Sequence, residues 1–410
     1  MRDLSPMEVR SIACHVGSAG EKLRTLSFDT IATALTNAAH LLMANEGLGQ
    51  ELRAALAVST GLSGPMIDWG LLTTLRTAKR EDFLALLPVC ASSVEPRTYH
   101  AARLAAVVLS GNVFTASFRA LSTPLMARVP VVAKASSRDD VFPSFFAKAL
   151  LAVHEDVGRA VRVVTFRGGD TRLEDALLSQ CDVVAAYGSD STLHEIRSRL
   201  PSTTTFVPHG HGLGVAYVPR TEAPLVDVCR RLARDVAAYD QRGCLSPHAI
   251  FVEAGGSFSA RELAEQLSVN ALAVEQELLP RGDLPLSCGA QQLQWRGIAA
   301  ARGELFEGTA WSVALERGGS FRLSPGYRNV SVLEIPNVES FYQRIAPLGV
   351  HLKCLGVEGD PETRNRIAES LPAPLAPRVC ATGRMQEPGL TSSVDGMDPM
   401  QGFMRCVSLR

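Results

Sequence analysis

The chain has 410 residues, 46% hydrophobic and 20% charged, an ordinary globular composition long enough for two domains. Its 41 basic and 42 acidic residues give a net charge of -1, so charge makes no case for nucleic acid or another polyanionic partner. The nine cysteines form no C-x-x-C pair, which signals neither a zinc site nor a redox pair. The odd count, with no apolar signal stretch at residues 1–6, points to reduced thiols in the cytoplasm. No run approaches the ~18 apolar residues of a membrane span.

Residues 1–100 read as helical. Ile31, Ala34, Leu35, Ala38, Leu41 and Leu42 make one apolar stripe, Leu52, Ala55 and Leu56 begin another, and residues 61–65 form a turn. This part is expected as a helical lead-in packed on the domain that follows. From about 100 the period changes. Strands are expected at 105–109, 129–134, 161–166 and 182–187, with helices at 114–128, 142–153 and 173–179 between them. That alternation predicts a parallel, doubly wound sheet, whose ligands bind beyond the carboxyl ends of the strands.

Two strand ends stand out. Gly188-Ser189-Asp190-Ser191-Thr192 opens a helix with Leu193, Ile196 and Leu200 facing inward, and Thr192 with Glu195 fits a capping box. Glycine and hydroxyls at a helix start suit a phosphate, and equally an ordinary helix cap. Lys134 ends a strand and is followed by Ser136 and Ser137. It can reach a nucleotide ribose or phosphate, or be a plain strand-end lysine. No G-x-G-x-x-G follows a strand, so the standard dinucleotide fingerprint is missing. Further on, two strands flank His209-Gly210-His211-Gly212. No carboxylate or thiol is spaced to complete a metal set, so no metal is expected there and the segment reads as a glycine loop near the cleft.

A helix is expected over 224–239, with Leu225, Val228, Cys229, Leu232 and Val236 on one face and Gly243 as its breaker. Ala249–Val252 reads as a buried strand. Cys244 therefore sits on a connection between two packed elements, the placement a nucleophile needs. A small buried cysteine is the plain alternative. A helix from Ser259 to about Leu279, strands at 311–315, 330–335, 350–356 and 378–380, and helices at 338–345 and 362–371 make a second α/β domain. The resulting division is a helical segment 1–100, a cofactor domain 101–220, a catalytic domain 221–382 and a C-terminal arm 383–410.

Taken together, these segments resemble the aldehyde dehydrogenase superfamily, and within it the fatty acyl-CoA reductases of the LuxC type, over residues 100–405. Ser110-Gly111-Asn112-Val113 resembles the loop whose asparagine helps form the oxyanion hole. Val132–Asp139 resembles the strand and lysine that hold the adenosine ribose. Gly188–Thr192 resembles the turn beneath the cofactor phosphates. Asp240-Gln241-Arg242-Gly243-Cys244-Leu245-Ser246-Pro247 resembles the nucleophile segment of the acyl-CoA reductase branch, and Gly383–Pro388 and Asp395-Gly396 also look like that branch.

The resemblance implies an aldehyde dehydrogenase-like fold of two doubly wound α/β domains, with Cys244 and Asn112 catalytic. Lys134, Ser136, Ser137, Gly188, Ser189 and Thr192 are implied for cofactor binding. The implied reaction is NADPH-dependent reduction of an acyl-CoA thioester to the aldehyde through a covalent cysteine thioester. NADPH is preferred over NADH because Lys134, Ser136, Ser137 and Arg138 can meet a 2′-phosphate. Two departures from the superfamily pattern matter. The place of the water-activating glutamate of aldehyde oxidisers is Val207–Gly212, which has no carboxylate, so a thiol such as coenzyme A is the natural acyl partner. The region 321–328 lacks the glutamate that many oxidisers use for the nicotinamide ribose. Arg242 is a candidate to acidify Cys244, unless it points to solvent, and His248 is a candidate proton carrier or a structural histidine. A homo-oligomer and an acyl-supplying ligase or synthase are further expectations. Other readings are a reductase of acyl phosphates or acyl carrier protein thioesters, a non-catalytic acyl-CoA-binding relative, and an unrelated doubly wound transferase.

Overall fold

The computed structural model describes residues 4–87, 97–136, 139–317 and 322–408. The chain forms two compact units: Met1–Thr60, Leu71–His211 and Gly389–Arg410 in one, Gly61–Gly70 and Gly212–Pro388 in the other.

The first unit begins with helices α1 (Pro6–Thr25), α2 (Phe28–Met43) and α3 (Gly47–Thr60); α4 (Gly64–Leu75) is divided between the two units at Gly70, and the short α5 (Arg80–Leu84) belongs to the first. Ser5 and Glu8 close a reciprocal capping box at the start of α1, and Pro6 occupies a first-turn position where its missing N–H costs nothing. Strand β1 (Arg97–Ala101) leads to β2 (Ala105–Val108), α6 (Ala116–Met126), β3 (Val131–Ala135), α7 (Val141–Val153) and α8 (Glu155–Arg159). Then follow β4 (Val161–Thr165), α9 (Thr171–Leu178), β5 (Val183–Gly188), α10 (Asp190–Arg199) and β6 (Thr205–Gly210). The five-stranded sheet runs β4-β3-β2-β5-β6 and is parallel throughout. Every residue of β2 and β3 is buried, which is why β2 reads as an unbroken apolar run and β3 as one interrupted only by Lys134. One face of the sheet packs on Val9, Ala13 and Val16 of α1 and on Leu173 and Leu177 of α9.

The second unit holds β7 (Leu213–Val218), α11 (Leu225–Ala237), β8 (Pro247–Glu253), α12 (Ala260–Gln266) and α13 (Leu272–Leu278). It continues with α14 (Leu286–Arg302), β9 (Gly303–Glu307), β10 (Ser312–Glu316), β11 (Asn329–Ile335), α15 (Val338–Ile345), β12 (Leu352–Val357), α16 (Pro361–Glu369) and β13 (Arg378–Ala381). Its seven-stranded sheet runs β13-β12-β7-β8-β11-β10-β9, parallel except for the edge strand β9. Val228, Leu232 and Leu263 cover one face of that sheet, and Phe341 and Ile345 the other. The helix expected over 259–279 is two helices joined by a π-turn at Leu267–Ala271. Helix α14 and strand β9 have no counterpart in the sequence expectations. The last strand, β14 (Met404–Ser408), returns to the first unit and pairs antiparallel with β1. Among the described residues no helix is long and apolar enough to cross a membrane.

Candidate active site

In the first unit β2 pairs with β3 on one side and β5 on the other, and the chain order reverses about β2. Loops leaving the carboxyl ends of these strands flank the crevice where such sheets bind ligands. Asn112, Lys134, Ser136, Gly188, Ser189 and Thr192 all lie on or just beyond those ends, so the fold gathers residues up to 80 positions apart. Ser137 and Arg138 lie outside the described residues.

Asn112 is exposed on the loop after β2. Gly111 before it has φ +73°, and a Cβ there would lie 2.6 Å from the Ser136 Cβ, so glycine alone permits the close approach of the two loops. Lys134 is buried, with Nζ 5.5 Å from the centre of the Phe166 ring. Burial lowers its pKa, and Glu174 opposes that shift. Ser189, and not Thr192, is the helix cap: its Oγ accepts the Thr192 N–H at 3.3 Å and lies 2.9 Å from the Ser191 and Thr192 hydroxyls. The expected Thr192–Glu195 box does not form, because the helix starts three residues earlier at Asp190 and Thr192 lies inside its first turn. Exposed hydroxyls at a helix start and a buried amine at a strand end are each donors of the kind that phosphates and ribose accept from.

Asp139 was not among the expected site residues. Its side chain is 6% exposed, and among the described residues Oδ1 has no hydrogen-bond partner. Burial, with Asp140 adding like charge, pushes its carboxyl up to about 7. Its Cβ is 3.2 Å from where a Gly111 Cβ would stand.

The His209 segment holds a larger surprise. His209 belongs to β6, in register with Tyr187 of β5, and the two rings stack with centroids 4.3 Å apart. Its Nδ1 is 3.0 Å from the Asp395 carboxylate. The segment read as lacking a carboxylate therefore receives one from the C-terminal arm. Asp395 and Gly396 both have positive φ and turn a bridge between Val394 and Met397. His209 and Tyr187 line a small pocket, open to solvent, with Ala120, Ala185, Val207 and Phe403 on its apolar walls.

In the second unit α11 stops at Ala237, well before Gly243. Tyr239, Asp240 and Gln241 follow with φ of 51°, 52° and 59°, three left-handed residues in succession and none of them glycine. L-residues resist that conformation by about 1–2 kcal/mol each, so side-chain bonds must hold it. The buried Asp240 takes Arg328 Nε and Nη2 on Oδ1 at 3.1 and 2.8 Å, and the Gly282 N–H on Oδ2 at 3.0 Å. Arg328 is fully buried and also donates to Gln276 and to the Leu279 carbonyl, each at 2.7 Å. Gln241 donates Nε2 to the carbonyls of Pro247 and Asn329 at 2.7 and 2.9 Å and accepts the Asn329 N–H at 3.0 Å.

Beyond this anchor the Ser246 N–H bonds the Gly243 carbonyl at 3.1 Å, which puts Cys244, an exposed residue, at the corner of a turn. Burial sets other cysteines apart, pushing the thiols of Cys181 and Cys229 up to about 12. Arg242 does not point to solvent. Its guanidinium lies 3.4 Å from Asp240 and 5.4 Å from the centre of the Tyr327 ring. His248 is the second residue of β8, with Nδ1 2.9 Å from the Ser324 Oγ and 3.1 Å from its carbonyl. Burial lowers its pKa to about 4, against the Ser324 bond, so the ring is neutral at neutral pH.

A sequence model of the acyl-CoA reductase (LuxC) family matches residues 95–406. No curated protein matches. Among solved structures, the chain is similar to the indole-3-acetaldehyde dehydrogenase AldA of P. syringae, crystallised with NAD+ and IAA (TM-score 0.79, 13% identity, covering 98% of this chain and 88% of that one). It is similar to the aldehyde dehydrogenase KauB of Pseudomonas aeruginosa (TM-score 0.78, 12% identity, 98% and 88%). It is also similar to an NAD-dependent aldehyde dehydrogenase of Sinorhizobium meliloti (TM-score 0.77, 14% identity, 99% and 87%). At these identities the likeness establishes the aldehyde dehydrogenase fold.

Proposed function

The chain belongs to the acyl-CoA reductase (LuxC) family on an aldehyde dehydrogenase fold, and from that premise we propose that it reduces an acyl-CoA thioester to the aldehyde through a thioester on Cys244. The observation that carries the reading is the exposed residue Cys244 at the corner of a turn whose base is anchored by buried side chains.

In this mechanism the Cys244 thiolate attacks the acyl carbonyl, the bond to the coenzyme A sulfur breaks, and the acyl group stays on Sγ. Coenzyme A leaves as a thiolate and takes a proton. Asn112 and the Cys244 N–H donate to the carbonyl oxygen as it becomes negative, each donor supplying roughly 3–4 kcal/mol. A reduced nicotinamide dinucleotide, NADPH in this proposal, supplies the hydride when bound. Lys134, Ser136, Ser137, Gly188, Ser189 and Thr192 would hold it. A cytoplasmic homo-oligomer, served by a ligase or synthase that makes the thioester, belongs to the same proposal.

The test is purified protein with NADPH and a panel of acyl-CoA thioesters, following reduced cofactor and trapping aldehyde. One aldehyde per NADPH consumed is expected. Parallel reactions with NADH, acyl phosphates and acyl carrier protein thioesters rank the donors. Aldehyde from acyl phosphate alone, or none from any donor, would sink the reading.

A further inference from the structure

We propose that Gln241 and Asp240 are positioning residues for Cys244: the Gln241 amide joins the two ends of the loop that carries the thiol, while the Asp240–Arg328 pair holds the left-handed backbone that aims it there. The inference rests on Cys244 being the nucleophile. Gln241 immediately precedes the loop of residues 242–246, and Pro247 immediately follows it. The Gln241 Nε2 to Pro247 carbonyl bond, 2.7 Å, closes that loop at its base. The same amide reaches Asn329, the first residue of β11, through both Nε2 and Oε1. One buried side chain thus ties the loop to the starts of two neighbouring strands of the sheet.

The backbone explains why glycine is not used. Glycine would adopt φ near 50–60° without strain, and would also leave the loop free to wander. Tyr239, Asp240 and Gln241 hold the same angles only because their surroundings fix them. The Tyr327 N–H bonds the Asp240 carbonyl at 3.1 Å, and the Arg242 N–H bonds the Tyr239 carbonyl at 3.1 Å. The far side of the loop is fixed as well: the Gly214 N–H bonds the Ser246 carbonyl at 2.9 Å, and Gln386 Nε2 bonds the Ser246 Oγ at 3.0 Å. None of these residues needs to touch substrate. They set where the sulfur stands, and misplacement by about 1 Å can cost on the order of 100-fold in rate.

The test uses full-length Gln241→Asn, Asp240→Asn and Cys244→Ala. Asparagine tolerates left-handed backbone but is one methylene too short to bridge Pro247 and Asn329. Acyl-CoA is mixed with each protein without reduced cofactor, and the burst of released coenzyme A thiol is timed per folded molecule, with melting curves and KM for both substrates alongside. Gln241→Asn is expected to slow the burst about 10- to 100-fold while KM changes less than about 2-fold. The pH dependence of iodoacetamide labelling at Cys244 should stay unchanged, because position and not ionisation is altered. A folded Gln241→Asn with a wild-type burst overturns the positioning and leaves the function standing. A burst that survives Cys244→Ala overturns the functional reading, and the positioning role with it. Should Asp240→Asn fail to fold, with the Arg328 charge buried and unpaired, Gln241→Asn decides alone.

Discussion

Replacing Asp139 with asparagine should make the protein more stable, and increasingly so as the pH rises. The folded carboxyl titrates at about 7, against an ordinary value of 3.8. That gap is worth about 4 kcal/mol at about 1.4 kcal/mol per pH unit. Its sign follows from proton counts. Between pH 4 and 7 the folded chain holds a proton on Asp139 that the unfolded chain has lost, so the stability it contributes is full below pH 4 and is lost as pH rises through 7. Above 7 the cost of the buried charge is constant. Asparagine has the same shape and never ionises. Its advantage over the wild type should grow from about 2 kcal/mol at pH 5 to about 4 kcal/mol at pH 8, a widening of roughly 2–3 kcal/mol. Urea unfolding of both proteins at pH 5, 6, 7 and 8 measures that difference, and the other titrating groups cancel in it. Parallel curves, with a widening below about 1 kcal/mol, would refute a proton held on this side chain.

Three further outcomes are expected. Cys244→Ala should abolish aldehyde formation while dinucleotide binding, followed by fluorescence titration, is unchanged; turnover that persists removes Cys244 from the mechanism. His248, lowered to about 4 from 6.5, contributes stability that is present above 6.5 and lost as pH falls towards 4. His248→Gln should therefore lose about 2–3 kcal/mol less than wild type between pH 7 and 4.5, and equal losses in urea melts would contradict this. Asp235 is buried and accepts the N–H groups of Gly383 and Met385 at 2.5 and 2.9 Å. Asp235→Ala strands both donors and should cost roughly 2–4 kcal/mol; a change under about 0.5 kcal/mol would show that they find other partners.

The alternation from 105 to 188 was legible because parallel strands buried on both faces read as short, largely apolar runs between helical periods, with Lys134 the one charge in β2 and β3. Lys134, Gly188 and Ser189 could be singled out because topology alone assigns ligands to such strand ends. The left-handed turn before Cys244 was not legible. Of its three residues only aspartate favours that backbone, and the bonds that impose it come from Arg328 and Asn329, 88 positions away. Gly243 drew attention as the breaker, yet the helix had already ended. His209 looked like part of a glycine loop since its carboxylate, Asp395, lies 186 residues on. Helix α14 escaped notice because Gly289 and Gly297 interrupt it and only Gln292, Trp295 and Ala299 are buried, too thin a stripe to show a period.

The return of the chain to its first unit also bears on how the protein is made. Residues 212–388 are an insertion: the strand that receives Asp395 is finished at Gly210, and the arm that supplies it starts after Pro388. At about 5–20 residues per second, a ribosome needs on the order of 10–40 s to travel from His209 to Asp395. During that interval β1 has no β14 to pair with, and an unpaired strand edge is a template for another chain. The second unit can complete its own sheet meanwhile, since all seven strands lie within the insertion. Synthesis therefore separates the pieces in time: the five-stranded sheet and the inserted sheet each have all their strands before β14 emerges, and only β1 waits for the late strand that covers its edge.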